Sequence, residues 1–281
     1  DRIAAYAPNS IETIIAFLAS SKNGSIWSSC SPDFGVQGVV DRFFQIKPKV
    51  LFTCDYYFYN GKKINILEKI PSIKKLIPTI KKVIVFPYEK SLKDNLLFKK
   101  NKFLDFDKVI NNSKLDENFI KFNFNHPIYI LYSSGTTGYP KCITHGAGNV
   151  LIEHKKEYIL HCNIKNNDRI FYYTTTGWMM WNWLIGSLSC GAKVLLFDGA
   201  PNYPTTDILI KYCSSKKISF FGVSAKYIDF LKNKKFIPKK YNLKYLKTIA
   251  STGSPLLKES FDYIYKNIKK NVHLASISGG T

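Results

Sequence analysis

An α/β fold with largely parallel sheets is predicted by three features: short apolar runs of strand length, helical stretches between them, and turn residues at their junctions. The alternation begins early. Asn9 with Glu12 forms a capping-box signal, and Ile11, Ile14, Ile15 and Leu18 recur at helical spacing before Asn23-Gly24 stops the helix. A strand follows around 25–28, then a helix over 36–46 halted by Pro48, because proline cannot continue a helix and disfavours helical geometry in the residue before it. The runs 49–53, 83–86 and 128–132 read as strands and 147–161 as a helix. Strands at 170–173, 194–197, 218–223 and 248–251, separated by helical stretches, complete the series. Residues 90–125, polar and weakly periodic, read as a surface excursion, and no internal repeat or heptad pattern is present.

The 281 residues carry 41 Lys and Arg against 20 Asp and Glu, a formal charge of +21. Such a charge invites a nucleic-acid or anionic-membrane partner. Its chemistry argues otherwise. Only Arg2, Arg42 and Arg169 are arginines, the residue suited to bidentate recognition of bases and phosphates, and the lysines occur as scattered pairs such as Lys62-Lys63 and Lys269-Lys270. They read as solvated faces, and no nucleic-acid partner is expected. The cysteines Cys30, Cys54, Cys142, Cys162, Cys190 and Cys213 are widely spaced without a C-x-x-C pair, which indicates neither zinc nor a disulfide scaffold and fits a reducing cytoplasm. Residues 170–192 lack any charge and have the length of a membrane span, but Thr174-Thr175-Thr176, Gly177, Asn182 and Gly191 break the run into strand, loop and helix, so no membrane insertion is expected.

The strand at 128–132 delivers the most distinctive stretch, Tyr132-Ser133-Ser134-Gly135-Thr136-Thr137-Gly138-Tyr139-Pro140-Lys141. Glycines let backbone N–H groups turn toward an anion, hydroxyls add donors, and Lys141 supplies a mobile positive charge. The loop therefore reads as a phosphate holder, with an ordinary Ser/Gly surface turn as the bland alternative. A Walker loop is disfavoured, since Gly135 and Gly138 stand too close and Pro140 precedes the lysine.

The same stretch resembles the phosphate-loop signature of the acyl-adenylate-forming, AMP-binding superfamily. Three further segments, Trp27 to Gly35, Thr174 to Trp181 and Ser251 to Leu256, resemble the acetoacetyl-CoA synthetases within it, and the likeness runs through nearly the whole chain in order. The resemblance implies two stacked α/β/α subdomains of the large N-terminal domain, about 25–165 and 166–281, with 1–24 returning to the second. It also implies an internal fragment: the sequence enters directly into an apolar run at Asp1 and stops within a site loop at Thr281, so the small C-terminal domain, its catalytic lysine, the ribose-binding aspartate and most of the CoA site are expected outside it.

By that resemblance, Ser133, Ser134, Gly135, Thr136, Thr137, Gly138, Lys141 and Thr281 hold the phosphates of ATP, and Gly253, Ser254 and Pro255 line the adenine. Trp178, Met179, Met180, Thr252 and Gly279 form the acyl pocket, although core packing serves Met179 and Met180 equally well. Gly279 stands where acetyl-CoA synthetases carry a bulky tryptophan, leaving room for a longer acid. The expected substrates are acetoacetate, ATP and CoA, with Mg²⁺ held by an acidic residue beyond Thr281 and no metal ligand within the chain. Another short or branched acid, or nucleotide binding without catalysis, are the alternatives, and these residues alone are expected to be inactive. Two departures stand out: Cys142 replaces the usual glycine after Pro-Lys, and Ser278 replaces an aromatic residue that stacks on adenine. His145 lies just past the loop, where contact with a ligand competes with a structural role.

Overall fold

The computed structural model describes residues 1–89, 92, 95–113, 118–133 and 138–281. These divide into two compact units, Asp1–Leu151 with Thr175–Met179 and Thr281, and Ile152–Thr174 with Met180–Gly280.

The first unit runs β1 (Arg2–Tyr6), α1 (Ile11–Lys22), β2 (Ile26–Cys30), α2 (Val36–Ile46), β3 (Val50–Cys54), the hairpin β4 (Tyr56–Tyr59) and β5 (Lys62–Asn65), and α3 (Ile70–Leu76). It continues through β6 (Lys82–Phe86), α4 (Leu96–Lys100), β7 (Leu104–Asp105), α5 (Phe106–Asn111), β8 (Pro127–Ser133) and β9 (Lys141–Gly146) into α6 (Ala147–Lys156). Seven strands pair in the order β7-β6-β3-β1-β2-β8-β9. All neighbours are parallel except β8 and β9, which form an antiparallel pair. Strand β1 is central, and its Ala4, Ala5 and Tyr6 are fully buried. Residues 1–24 thus belong with the first unit and not the second, because β1 hydrogen-bonds to β2 on one side and β3 on the other.

Helix α1 corrects two expectations. Its cap is Ser10, whose hydroxyl accepts the Thr13 N–H at 3.4 Å, in place of Asn9. Its apolar stripe faces outward: Ile11, Ile15 and Leu18 are exposed, whereas Thr13, Ala16, Phe17 and Ser20 are buried. The small residues let the helix approach closely, and Phe17 fills the remaining space edge-on to Trp27 with ring centroids 5.7 Å apart. Burial of the two hydroxyls is offset locally, Thr13 donating to Pro8 O at 2.9 Å and Ser20 to Ala16 O at 2.7 Å. The surface excursion also has structure, for β7 pairs with β6 and buried Phe106 packs against Phe52 and Phe86. Residues 118–125 remain exposed, as expected.

The second unit begins within α6, includes a π-helical turn at Glu157–His161 and runs β10 (Arg169–Tyr172), α7 (Met179–Gly186), β11 (Lys193–Leu195), α8 (Ile208–Ser215), β12 (Phe220–Ser224), α9 (Ala225–Asn233), β13 (Thr248–Thr252), α10 (Lys258–Tyr263) and β14 (His273–Ser276). Its five strands are all parallel, in the order β11-β10-β12-β13-β14. Phe171, Leu209, Ile218, Phe221, Val223 and Ile249 build a core under α8 and α9. Gly222 in β12 is required by crowding, since a Cβ there would stand 2.1 Å from the Tyr172 ring. The uncharged stretch 170–192 is strand, loop and helix, and among the described residues no helix is long and apolar enough to cross a membrane.

Candidate functional site

In the first unit the chemistry-bearing residues gather at the carboxyl ends of β1, β2 and β8. Strand β8 ends at Ser133 and β9 begins at Lys141, which face each other as the last rung of the ladder, with Tyr132 opposite Cys142 behind them. Ser134, Gly135, Thr136 and Thr137 lie outside the described residues. Gly138 is exposed, and so is Lys141, which takes part in none of the ion pairs among the described residues. A loop whose flanks are locked in a β ladder, with a solvent-facing ammonium at its exit, suits an anionic guest.

The base of the loop is fixed from β2. Ser28 Oγ donates to Ile130 O at 2.9 Å and lies 3.1 Å from the Tyr132 hydroxyl. Burial pushes the Tyr132 phenol far above its ordinary range, so it remains neutral. His145 sits on β9 with its ring 5.1 Å from that of Tyr129, its Nε2 has no hydrogen-bond partner among the described residues, and desolvation lowers its pKa.

Residues Thr174 to Trp181 separate into roles that composition could not distinguish. Thr176 is fully buried; its hydroxyl points at Ala7 O (2.8 Å) and Cys30 O (3.1 Å), while its carbonyl accepts from Ser29 Oγ at 2.6 Å. The segment is thereby pinned to the ends of β1 and β2. Trp178 is 59% exposed and Met179 and Met180 are half-buried, whereas Trp181 is wholly buried. Core packing accounts for Trp181 and not for Trp178. Ser29 and Thr176 were missed as anchors; the run of three threonines after a strand was the available signal.

In the second unit, β13 runs into a turn at Gly253, whose φ of +90° is a conformation that favours glycine even though a Cβ there would meet open space. Thr252 Oγ1 donates to Ile277 O at 3.2 Å, Ile277 N–H to Ser251 O at 2.8 Å, and Leu256 N–H to Ser276 Oγ at 3.2 Å. The turn after β13 is therefore stitched to the segment after β14, leaving Gly253, Ser254 and Pro255 exposed beside exposed Ser278 and Gly279. Open parallel sheets place their ligands at such carboxyl ends. A Cβ at Gly279 would touch nothing within 4 Å. Thr281 is exposed, and among the described residues no group of three or more His, Cys, Asp or Glu is placed to hold a metal ion.

Comparison with known proteins bears on what these surfaces hold. Acetoacetyl-CoA synthetase of Gallus gallus is 48% identical across 100% of the chain and 43% of its own length. Malonamoyl-CoA synthetase of Penicillium aethiopicum is 39% identical over 100% of the chain and 42% of its own. The solved structure of acetoacetyl-CoA synthetase from Streptomyces lividans superposes with a TM-score of 0.92 at 36% identity, covering 100% of the chain and 43% of that structure. The chain thus spans less than half the length of the relatives it matches. Since the model of the AMP-binding enzyme family also matches residues 1–273, from β1 into β14, the chain belongs to the AMP-binding enzymes.

Proposed function

We propose that the protein containing these residues is an acid–CoA ligase that activates acetoacetate with ATP and passes the acyl group to CoA. The supporting observation is likeness to acetoacetyl-CoA synthetases along the entire chain, at 48% identity in sequence and a TM-score of 0.92 in structure. In the first step a carboxylate oxygen attacks the α-phosphorus of ATP, a P–O bond forms, and the bond to pyrophosphate breaks. Both reactants are anions, so the protein must neutralise charge and hold them in line. Ser133, Gly138 and Lys141, with Ser134 to Thr137, are assigned to the phosphates, as is Thr281. Gly253, Ser254 and Pro255 are assigned to adenine, and Trp178, Met179, Met180, Thr252 and Gly279 to the acyl group. In the second step the CoA thiol attacks the acyl carbon and AMP leaves.

ATP use follows from the family; Mg²⁺, which would offset phosphate charge, and CoA are further proposals. All six cysteines are free thiols, which supports a reducing compartment such as the cytoplasm. Likeness to a malonamoyl-CoA synthetase motivates one rival reading, a different short acid. Measuring AMP release by the full-length protein with acetoacetate, acetate, malonamate and branched short acids decides between them. Acetoacetate is expected to give the highest kcat/KM; turnover confined to another acid would remove acetoacetate as substrate.

A further inference from the structure

The two legs of the loop assigned to phosphate are gripped by side chains of α2 one turn apart. On the entry leg, the Arg42 guanidinium lies 4.5 Å from the Phe34 ring centroid and 5.7 Å from that of Tyr132. Its Nη1 donates to Gly38 O at 2.8 Å, which sets the plane of the group. On the exit leg, Gln45 Nε2 donates to Pro140 O at 2.8 Å and to Asp41 O at 2.7 Å, while its Oε1 accepts from Cys142 Sγ at 3.5 Å. Tyr132 and Cys142 are direct partners across the β8–β9 ladder. Residues three apart on a helix share a face. One face of α2 therefore holds both members of the rung behind Ser133 and Lys141.

Arg42 also appears in none of the ion pairs among the described residues. Its delocalised planar cation suits stacking between two rings, a geometry that lysine cannot reproduce. Gln45 uses donor and acceptor at once, and its acceptor meets the thiol of Cys142.

We propose that Arg42 and Gln45 are positioning residues for the phosphate loop: they fix the spacing of its two flanks, at Tyr132 on one side and at Pro140 and Cys142 on the other, and hold a positive charge behind them, which favours binding of the phosphates of a nucleoside triphosphate. This rests on the reading of Ser133 to Lys141 as the phosphate loop. Their effect passes through Tyr132, Pro140 and Cys142.

The test uses the full-length protein with Arg42→Met, Arg42→Lys, Gln45→Leu and Gln45→Glu. ATP affinity is measured without acid, acid-dependent ATP–pyrophosphate exchange is measured across the acid panel, and melting temperature is recorded. Arg42→Met and Gln45→Leu are expected to weaken ATP binding and raise KM for ATP about tenfold while leaving KM for the acid within about twofold. Arg42→Lys, retaining charge without the flat face, should fall between wild type and Arg42→Met. Gln45→Glu, which loses the donor to Pro140, should resemble Gln45→Leu, and these two conservative variants carry the test if the others do not fold. ATP affinity and KM within about twofold of wild type in all folded variants, or equal losses for ATP and acid, would overturn the proposal. If the wild type binds ATP but supports exchange with no acid, the ligase reading falls and ATP affinity alone judges Arg42 and Gln45. If it does not bind ATP, both readings fall.

Discussion

Thr176 shows how much one hydroxyl can organise. It lies fully buried, reaches the carbonyls of Ala7 and Cys30, and so ties the threonine run to the ends of two neighbouring strands. Replacing it with valine keeps the shape and removes the donor, leaving those carbonyls without it. Cys30 O keeps the Ala7 N–H at 3.3 Å, so the loss falls mainly on Ala7 O; Thr176→Val is expected to cost about 1–3 kcal/mol, the penalty for an unmet buried polar group, whereas Thr176→Ser should cost less because the hydroxyl stays. Thermal unfolding of the full-length protein checks this; equal melting temperatures for wild type and Thr176→Val would contradict it. None of this was legible in the sequence, since Ala7 and Thr176 stand 169 residues apart. What composition could show was a polar run after a strand, and it could not say which threonine faces inward. The reading of Ser133 to Lys141 as a phosphate loop has the opposite basis: the glycines, hydroxyls and lysine that suggest it are contiguous.

At the scale of elements, apolar runs revealed several strands buried on both faces, such as Val83 to Phe86, but the apolar central strand β1 was not read as one. Strands with mixed composition escaped notice. β9 and β14 read Lys-Cys-Ile-Thr-His-Gly and His-Leu-Ala-Ser, and each lies at the edge of its sheet, where a single partner suffices. Helix α1 misled in the other direction, because a local stripe of Ile and Leu says nothing about which face the sheet takes. Between elements, electrostatics joins the entrances of β10 and β13. Asp168 Oδ1 receives Lys247 Nζ at 2.8 Å and Asp168 Oδ2 accepts the Lys165 N–H at 2.8 Å. Burial pushes the Asp168 pKa up, but hydrogen bonds from Lys247, Lys165 N–H and Ser219 outweigh it, and the net shift is downward. A carboxyl with a depressed folded pKa contributes stability above the unfolded value of about 3.9, and loses it as pH falls through the folded pKa. The melting-temperature gap between wild type and Asp168→Asn should therefore be present at neutral pH and close as pH drops below about 4. A gap that widens on acidification would refute the assignment.

For the whole molecule, a charge of +21 held mostly by scattered lysines means self-repulsion, with few carboxylates to offset it. Screening reaches about 10 Å at 0.1 M salt and about 3 Å at 1 M. Raising NaCl from low ionic strength to about 0.5 M should accordingly raise the melting temperature, whereas a fall would show that attractive pairs dominate the surface. The division into units was only partly readable, because the chain leaves the second unit at Thr174 and re-enters it at Met180, with Thr175–Met179 built into the first. That excursion has a consequence for synthesis. The hydroxyl that meets Cys30 O emerges 146 residues after it, about 7–30 s later at about 5–20 residues per second of translation. Throughout that interval the ends of β1 and β2 wait for a segment that follows the first strand of the other unit, so the two cannot be completed one after the other on the ribosome.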